Sequence, residues 1–284
     1  MNEKIKASDD KSRVELLADI QKRILHKSDE WYYSDTNYLT NSMMSELRKS
    51  PLHLRNYLNK IQQPTKDYNI FGNAFHCHVL EPQHFSDRYF IVDDQEIINE
   101  LVKNGSKNPR NTNDYKNWKL DFLKKNEGKQ ELSLEDYNDI VGMNEALLDR
   151  PEVKNLLNAC EKEVIFHDEL DGVKRKCKVD AVKYGDFIID LKSTRDPVSQ
   201  FQGNFYRYDY DRQAAYYASV CNIPNVLFIV VEKSFPYTVG LFNLRDETLL
   251  MGNEKFTIWM QQYKRLFIHN EIPDLTKYLY KQTL

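Results

Sequence analysis

The chain has 284 residues, of which 41% are hydrophobic and 29% charged, and these proportions are typical of a globular protein. The longest apolar run, 226–231, is too short to span a bilayer, and residues 1–23 lack the apolar centre of a secretion signal, so we expect a cytoplasmic protein without membrane contact. A net charge of −3 argues against a module that binds nucleic acid through its overall charge, although a local basic patch is compatible with it.

The N-terminal part of the chain is predicted to be mostly helical. Residues 1–30 are expected to form a charged helix or arm, and residues 31–284 a single domain that begins with a helical elaboration over 31–130. Within this elaboration, a short apolar helix that Pro82 follows contains His76. A histidine on such a helix is usually packed in a core, and the alternative is a role in a metal site or in catalysis.

Residues 131–284 are predicted to form the α/β core of this domain. Strands are expected where β-forming residues lie between turn signals, and helices where capping residues precede helix-forming segments. The expected order is helix, three strands, helix, two strands and a final helix, which implies a mixed sheet with helices on its faces. The five expected strands cover 163–169, 173–183, 186–191, 225–232 and 237–243.

Two acidic motifs lie on either side of one predicted hairpin turn in this core. Lys178-Val179-Asp180 precedes the turn at 184–186, and Asp190-Leu191-Lys192 follows it. Because side chains alternate along a strand, Asp190 and Lys192 leave one face together, and Asp180 can reach the same place across the turn. Two carboxylates and an ammonium group in this arrangement suit Mg²⁺-assisted hydrolysis of a phosphodiester bond. Taken alone, the triplet Asp190-Leu191-Lys192 is also compatible with a salt bridge on a strand surface.

Other segments bear on the predicted site. Gln213 and Tyr217 are four residues apart, on one face of the helix expected after the hairpin. An aromatic residue at this spacing also commonly belongs to a core. The basic run 174–178 is a candidate DNA-binding patch, with a solvated strand face as the alternative. Glu163, which opens the first strand, is a candidate for contacting and orienting the metal ligands without binding the metal itself.

Four motifs in this order resemble the RecB-like branch of the PD-(D/E)xK nucleases: G-x-x-x-H ending at His76, the single Asp180, D-x-K at 190–192 and Q-x-x-x-Y at 213–217. More narrowly, they resemble the nuclease domain of phage and prophage exodeoxyribonuclease VIII, the RecE type. The run FGNAFHCHVLEP at 71–82 and the segment 33–57 are similar to that family as well. Asp190 departs from the Glu that many members of the superfamily carry, and the RecE-type group tolerates Asp there.

The resemblance implies a restriction-endonuclease-like mixed sheet and a metal-dependent DNA exonuclease. It implies that Mg²⁺, with Mn²⁺ as a substitute, is held by four ligands: His76, Asp180, Asp190 and the main-chain carbonyl of Leu191. Lys192 completes the implied catalytic set with the three side-chain ligands, since an ammonium group can position a water and offset charge on the phosphate. Gln213 and Tyr217 are the implied substrate contacts.

The activity implied by the resemblance is degradation of linear double-stranded DNA, from 5′ to 3′, to leave 3′ single-stranded tails. Such tails serve recombination by strand annealing, so a homo-oligomer and a partner protein that anneals single strands are expected. Two alternatives stay open. One is an endonuclease or single-strand-specific nuclease of the same superfamily, which a closed circular substrate would separate from an enzyme that needs an end. The other is a catalytically inert DNA-binding module.

Overall fold

The computed structural model describes residues 2–59 and 67–279, in which several helices precede the main strands. The helices are α1 (Asn2–Arg23), α2 (Asp29–Ser34), α3 (Asn41–Lys49), α4 (Pro51–Leu58), α5 (Asp67–Leu80), α6 (Phe85–Arg88), α7 (Gln95–Lys103), α8 (Asn113–Lys125), α9 (Leu134–Leu148), α10 (Pro151–Asn158), α11 (Phe201–Arg207), α12 (Tyr210–Cys221) and α13 (Asp246–Tyr263). The strands are β1 (Tyr89–Val92), β2 (Gln130–Ser133), β3 (Glu161–Leu170), β4 (Val173–Lys183), β5 (Phe187–Thr194), β6 (Asn225–Glu232) and β7 (Val239–Asn243).

One mixed sheet contains five strands in the order β3-β4-β5-β6-β7. β3, β4 and β5 are antiparallel neighbours because tight turns join them, and Gly172 and Gly185 supply the positive φ angles, 76° and 70°, that these turns require. β5 and β6 are parallel, since the chain crosses over through α11 and α12 before it returns to the sheet. β7 returns antiparallel to β6 at the edge.

Helices pack on both faces of this sheet. On one face, Ile188 of β5 shares a hydrophobic core with Tyr216 of α12. On the other face, Ile189 and Leu191 share a second core with Phe75 of α5. A mixed sheet flanked by helices confirms the predicted α/β class. Within residues 2–59 and 67–279, no helix is both long and apolar enough to cross a bilayer.

A two-stranded parallel ladder also lies in the N-terminal half of the chain. β1 pairs with β2 from Tyr89 opposite Gln130 to Val92 opposite Ser133. Sequence analysis did not predict these strands, because each has only four residues and cannot show a clear alternation of apolar and polar side chains.

Two residues of the basic run 174–178 are buried and so cannot form part of a DNA-binding patch. These residues, Arg175 and Lys176, are each only 1% exposed. Arg175 donates from Nε to the Asp168 carboxylate on the adjacent strand, at 2.8 Å. The predicted patch is therefore wrong for these two residues, and so is the solvated strand face, because both cations are paired inside the protein.

Lys176 holds the segment around α2 against the sheet. Its Nζ donates to the main-chain carbonyls of Tyr32, at 2.7 Å, and Asp35, at 2.6 Å. The same ammonium group lies 4.6 Å from the ring centroid of Trp31 and 5.6 Å from that of Tyr38. Two charge-assisted hydrogen bonds and the aromatic faces offset part of the cost of burying this charge, although burial still lowers the pKa of Lys176.

Replacing Lys176 with methionine is expected to lower the free energy of unfolding by about 1–3 kcal/mol, because the main-chain carbonyls of Tyr32 and Asp35 lose their donor. Denaturant unfolding measures the change. Lys174→Met is the matched control, since Lys174 is exposed on the same strand, and we expect its effect to stay within about 0.5 kcal/mol. Equal stability of the two variants would contradict the anchoring role.

Candidate metal centre

The β4–β5 hairpin brings the two predicted aspartates together where its ladder ends. The last paired residues on this side are Ala181 and Ile189, so Asp180 and Asp190 are the next pair and lie beyond the ladder. The strands separate there, and the amide of Leu191 donates to Asp180 Oδ2 at 2.7 Å instead of to the neighbouring strand. The hairpin register thus places both carboxylates at one opening in the sheet.

Asp180 faces the predicted histidine. His76 Nδ1, on α5, lies 3.6 Å from Asp180 Oδ1. Burial alone would raise the pKa of Asp180, but His76, Lys192 and the hydrogen bond from the Leu191 amide outweigh it, and the pKa is lowered. Burial would lower the pKa of His76, but Asp180 outweighs it and the pKa is raised. The two groups therefore stabilise each other's charged forms.

Glu163 lies directly beside this pair, closer than sequence analysis predicted. It stands opposite Asp180 in the β3–β4 register and has a left-handed φ of 56°, which is uncommon for a residue other than glycine. Lys178 Nζ lies 2.5 Å from Glu163 Oε2. Burial raises the pKa of Glu163 to about 7, nearby Asp180 adds to the rise, and Lys178 opposes it. Strained backbone of this kind is often found at functional sites.

Asp190 is buried, with 3% of its surface exposed, and its two oxygens differ in their partners. Oδ1 accepts a hydrogen bond from Gln213 Nε2 at 2.8 Å. Oδ2 lies 2.6 Å from Lys192 Nζ, yet no hydrogen bond of good direction reaches it from the described residues. Burial raises the pKa of Asp190 to about 6, with Lys192 opposing the rise and Asp180 adding to it.

Lys192 is held in its charged form between carboxylates. Burial would lower the pKa of its ammonium group, but Asp190 and Asp180 outweigh this effect and raise the pKa. Its Nζ also lies 5.1 Å from the ring centroid of Tyr210, at the start of α12. The predicted lysine is thus a fixed positive charge at the mouth of the site, suited to a phosphate oxygen.

The helix α12 brings Gln213 to the site and turns Tyr217 partly toward the core. Gln213 uses its amide on Asp190, as described above. Tyr217, one turn later, packs against the core cluster that contains Tyr216, and burial raises its pKa well above the ordinary value. The predicted shared helical face is present, and contact of either residue with DNA stays a prediction.

The donor set fits a divalent metal ion. One ligand atom each from His76, Glu163 and Asp180 lies within 4.8 Å of the other two. Ligands on Mg²⁺ at about 2.0–2.1 Å lie roughly 3–4 Å apart, so small side-chain rotations would bring these atoms to one ion. Carboxylate oxygens are ligands that Mg²⁺ and Mn²⁺ prefer. Asp190 is not part of this group of three, and its Oδ2 is instead 2.6 Å from the ammonium group of Lys192.

Comparison with known proteins assigns the fold. A model of a family described as a PDDEXK-like domain of unknown function (DUF3799) matches residues 40–278. Among solved structures, that of a protein from Eubacterium rectale named "putative exonuclease" is similar, with a TM-score of 0.59 and 16% identity over 92% of this chain and 96% of the other. The structure of SSO0001 matches 66% of this chain and 85% of its own at 17% identity, with a TM-score of 0.27. No curated protein sequence matches the chain. The predicted PD-(D/E)xK-like fold is confirmed.

Proposed function

The chain belongs to the PDDEXK-like family, and on that basis we propose that it is a metal-dependent nuclease that hydrolyses phosphodiester bonds in DNA. The meeting of Asp180, Asp190 and Lys192 at one opening of the sheet carries this proposal. The Asp190 carboxylate, buried and 2.6 Å from the Lys192 ammonium group, offers a metal ligand and a phosphate partner side by side. The alternative, a salt bridge on the protein surface, would leave both Asp190 and Lys192 solvated, whereas Asp190 is only 3% exposed.

The metal ligands we propose are His76, Asp180, Asp190 and the main-chain carbonyl of Leu191. Glu163 is placed to join them, because its carboxylate lies with His76 and Asp180 in one cluster. A bound Mg²⁺ ion supplies Lewis-acid chemistry, which polarises the scissile phosphate and lowers the pKa of a water molecule.

Lys192 and Gln213 act on either side of Asp190. Gln213 donates a hydrogen bond to Oδ1 and so restrains the orientation of the Asp190 carboxylate. Lys192 remains an ammonium ion, so its role is to orient the attacking water and to offset negative charge that develops on the phosphate. A charge already held in place gives this stabilisation without reorganisation during the reaction.

The substrate we propose is the end of linear double-stranded DNA, degraded from 5′ to 3′ to leave 3′ single-stranded tails. The resemblance of residues 71–82 to the RecE-type nucleases supports this choice, and the name of the Eubacterium rectale protein supports an exonuclease. The same proposal includes a homo-oligomer and a partner that anneals the tails.

Digestion of linear, 5′-phosphorylated duplex DNA in Mg²⁺ tests the proposal, with a closed circle and a single strand beside it. We expect only the linear duplex to be consumed, a 5′ label to be released before a 3′ label, and chelation by EDTA to stop the reaction. Cleavage of the closed circle would identify an endonuclease instead of an exonuclease. Preferred cleavage of the single strand would identify a single-strand-specific nuclease. Inertness in both Mg²⁺ and Mn²⁺ would favour a DNA-binding module.

A further inference from the structure

A cavity of about 410 Å³ opens beside Lys192, and the mechanism above does not use it. It lies where the chain leaves β5, between this strand end and the corner that joins α11 to α12. Its lining includes Arg195, Tyr208, Tyr210 and Lys233, and it shares Lys192 with the metal centre. A volume of this size falls within the usual range for small-ligand sites, about 300–1,000 Å³.

The cavity concentrates positive charge. Besides Lys192, it contains Arg195 and Lys233, and the one carboxylate in its lining, Asp196, is bound by Asn204 Nδ2 at 2.8 Å. Lys233 Nζ lies 4.5 Å from the ring centroid of Phe71. Burial lowers the pKa of Lys233, and nearby Arg195 lowers it further. Arg195 and Lys233 both line the cavity, and an anion bound between two like charges relieves their repulsion.

The cavity also presents an aromatic ring at its rim. The side chain of Tyr208 is 54% exposed, and its ring lies 5.8 Å from that of Tyr210. Tyr210 in turn lies next to the Lys192 ammonium group, so the two rings lead from the metal centre to the rim. Asp209, between the two tyrosines, has a left-handed φ of 54° and pairs with Arg48 at 2.5 Å. The corner that carries Tyr208 is therefore held in place.

We propose that this cavity binds the nucleotide next to the scissile phosphate, with its base stacked on Tyr208 and its outer phosphate between Arg195 and Lys233. Aromatic stacking with cations for the backbone is how proteins hold unpaired nucleotides without reading their sequence. The inference rests on the proposed nuclease activity, because Lys192 then contacts the scissile phosphate at the mouth of the same cavity. It predicts that the terminal base leaves its partner strand before cleavage.

Single-turnover cleavage of duplexes that carry an abasic analogue at the first or the second position of the degraded strand tests the subsite. We expect the wild-type protein to cut one of these duplexes about tenfold more slowly than the intact duplex, since stacking on an aromatic ring contributes about 1–3 kcal/mol per base. Tyr208→Ala should cut the intact duplex and that abasic duplex at the same reduced rate. Tyr206→Ala is the matched control, since Tyr206 is also exposed on this stretch, and it should keep the wild-type discrimination.

A binding measurement in Ca²⁺ separates this subsite from the nuclease activity. A duplex with 2-aminopurine at the same position is expected to change its fluorescence on binding to the wild-type protein and to the Tyr206→Ala variant, but not to Tyr208→Ala. If this signal is seen without any cleavage in Mg²⁺ or Mn²⁺, the nuclease proposal fails and the nucleotide site stands. If the protein cleaves DNA but Tyr208→Ala keeps the discrimination between abasic and intact duplexes, the subsite is overturned and the nuclease stands. If the wild-type protein shows neither the fluorescence change nor cleavage, both the nucleotide subsite and the nuclease proposal are overturned.

Discussion

Asp190→Asn is expected to reduce Mg²⁺-dependent cleavage by at least about 10²–10³-fold, the loss found when one electrostatic stabiliser of a reaction is removed. The substitution keeps the shape of the side chain and an oxygen for the hydrogen bond from Gln213. It removes the negative charge that would hold the metal ion and that pairs with Lys192 at 2.6 Å. Initial rates on linear duplex DNA, at several Mg²⁺ concentrations, measure the effect.

Thermal unfolding distinguishes this loss from misfolding. Without metal, we expect Asp190→Asn to change the free energy of unfolding by about 1 kcal/mol or less. The reason is that burial disfavours the ionised form of Asp190, so its removal offsets the loss of the ion pair with Lys192. Mg²⁺ should raise the melting temperature of the wild-type protein, by an amount that corresponds to about 2.7 kcal/mol at a hundred times its Kd, and should raise that of the variant much less.

Asp186→Asn is the matched control for this substitution. Asp186 lies in the turn of the same hairpin, is about half exposed and pairs only with Lys183 among the described residues. We expect it to keep wild-type activity and the wild-type response to Mg²⁺. Wild-type cleavage by Asp190→Asn, or an equal loss in both variants, would show that Asp190 is not a metal ligand.

The local part of the site could be predicted from the sequence because it depends on one hairpin. The turn at Gly185 fixes the register, and alternation along β5 then places Asp190 and Lys192 together. Ile189 and Leu191 pack on the opposite side of the strand, in the core that α5 covers. These relations involve residues close together in the chain, where short-range geometry decides the outcome.

Predicting that Glu163 lies next to Asp180 requires the register between β3 and β4, which the sequence analysis did not use. The turn at Gly172 pairs Leu170 with Val173, and counting back along both strands puts Glu163 opposite Asp180. What the count does not reveal is the left-handed backbone of Glu163, with a φ of 56°. That conformation depends on the packed site around the residue and has no signature in its neighbours.

The burial of Arg175 and Lys176 could not be predicted from the sequence, for a different reason. Arg175 and Lys176 read as solvated residues because lysine and arginine are rarely fully buried. The carbonyls that receive Lys176 belong to Tyr32 and Asp35, which are 144 and 141 positions away in the chain. Only the docking of the N-terminal segment onto β4 brings these groups together, and no periodic pattern reports it.

Gly252→Ala is expected to destabilise the packing of α13 against α12. Gly252 lies in α13 where this helix crosses α12, and an added Cβ would lie 2.0 Å from the carbonyl oxygen of Asp211. That atom belongs to the backbone, so relief requires the two helices to separate. Overpacking of this kind costs about 1–3 kcal/mol, and the better helix propensity of alanine, up to about 1 kcal/mol, offsets only part of it.

The same substitution should also reduce cleavage, because α12 carries Gln213 and thereby the orientation of Asp190. Thermal unfolding is expected to show a melting temperature lower by several degrees, since about 1 kcal/mol corresponds to roughly 2–4 °C in a domain of this size. Gly203→Ala is the matched control: Gly203 lies in α11 with nothing within 4 Å of its added Cβ, and alanine there should stabilise the helix slightly. If Gly252→Ala is as stable as Gly203→Ala, the close approach of α12 and α13 does not constrain the fold. If it is less stable but cleaves DNA at the wild-type rate, the link from this helix crossing to Asp190 is wrong.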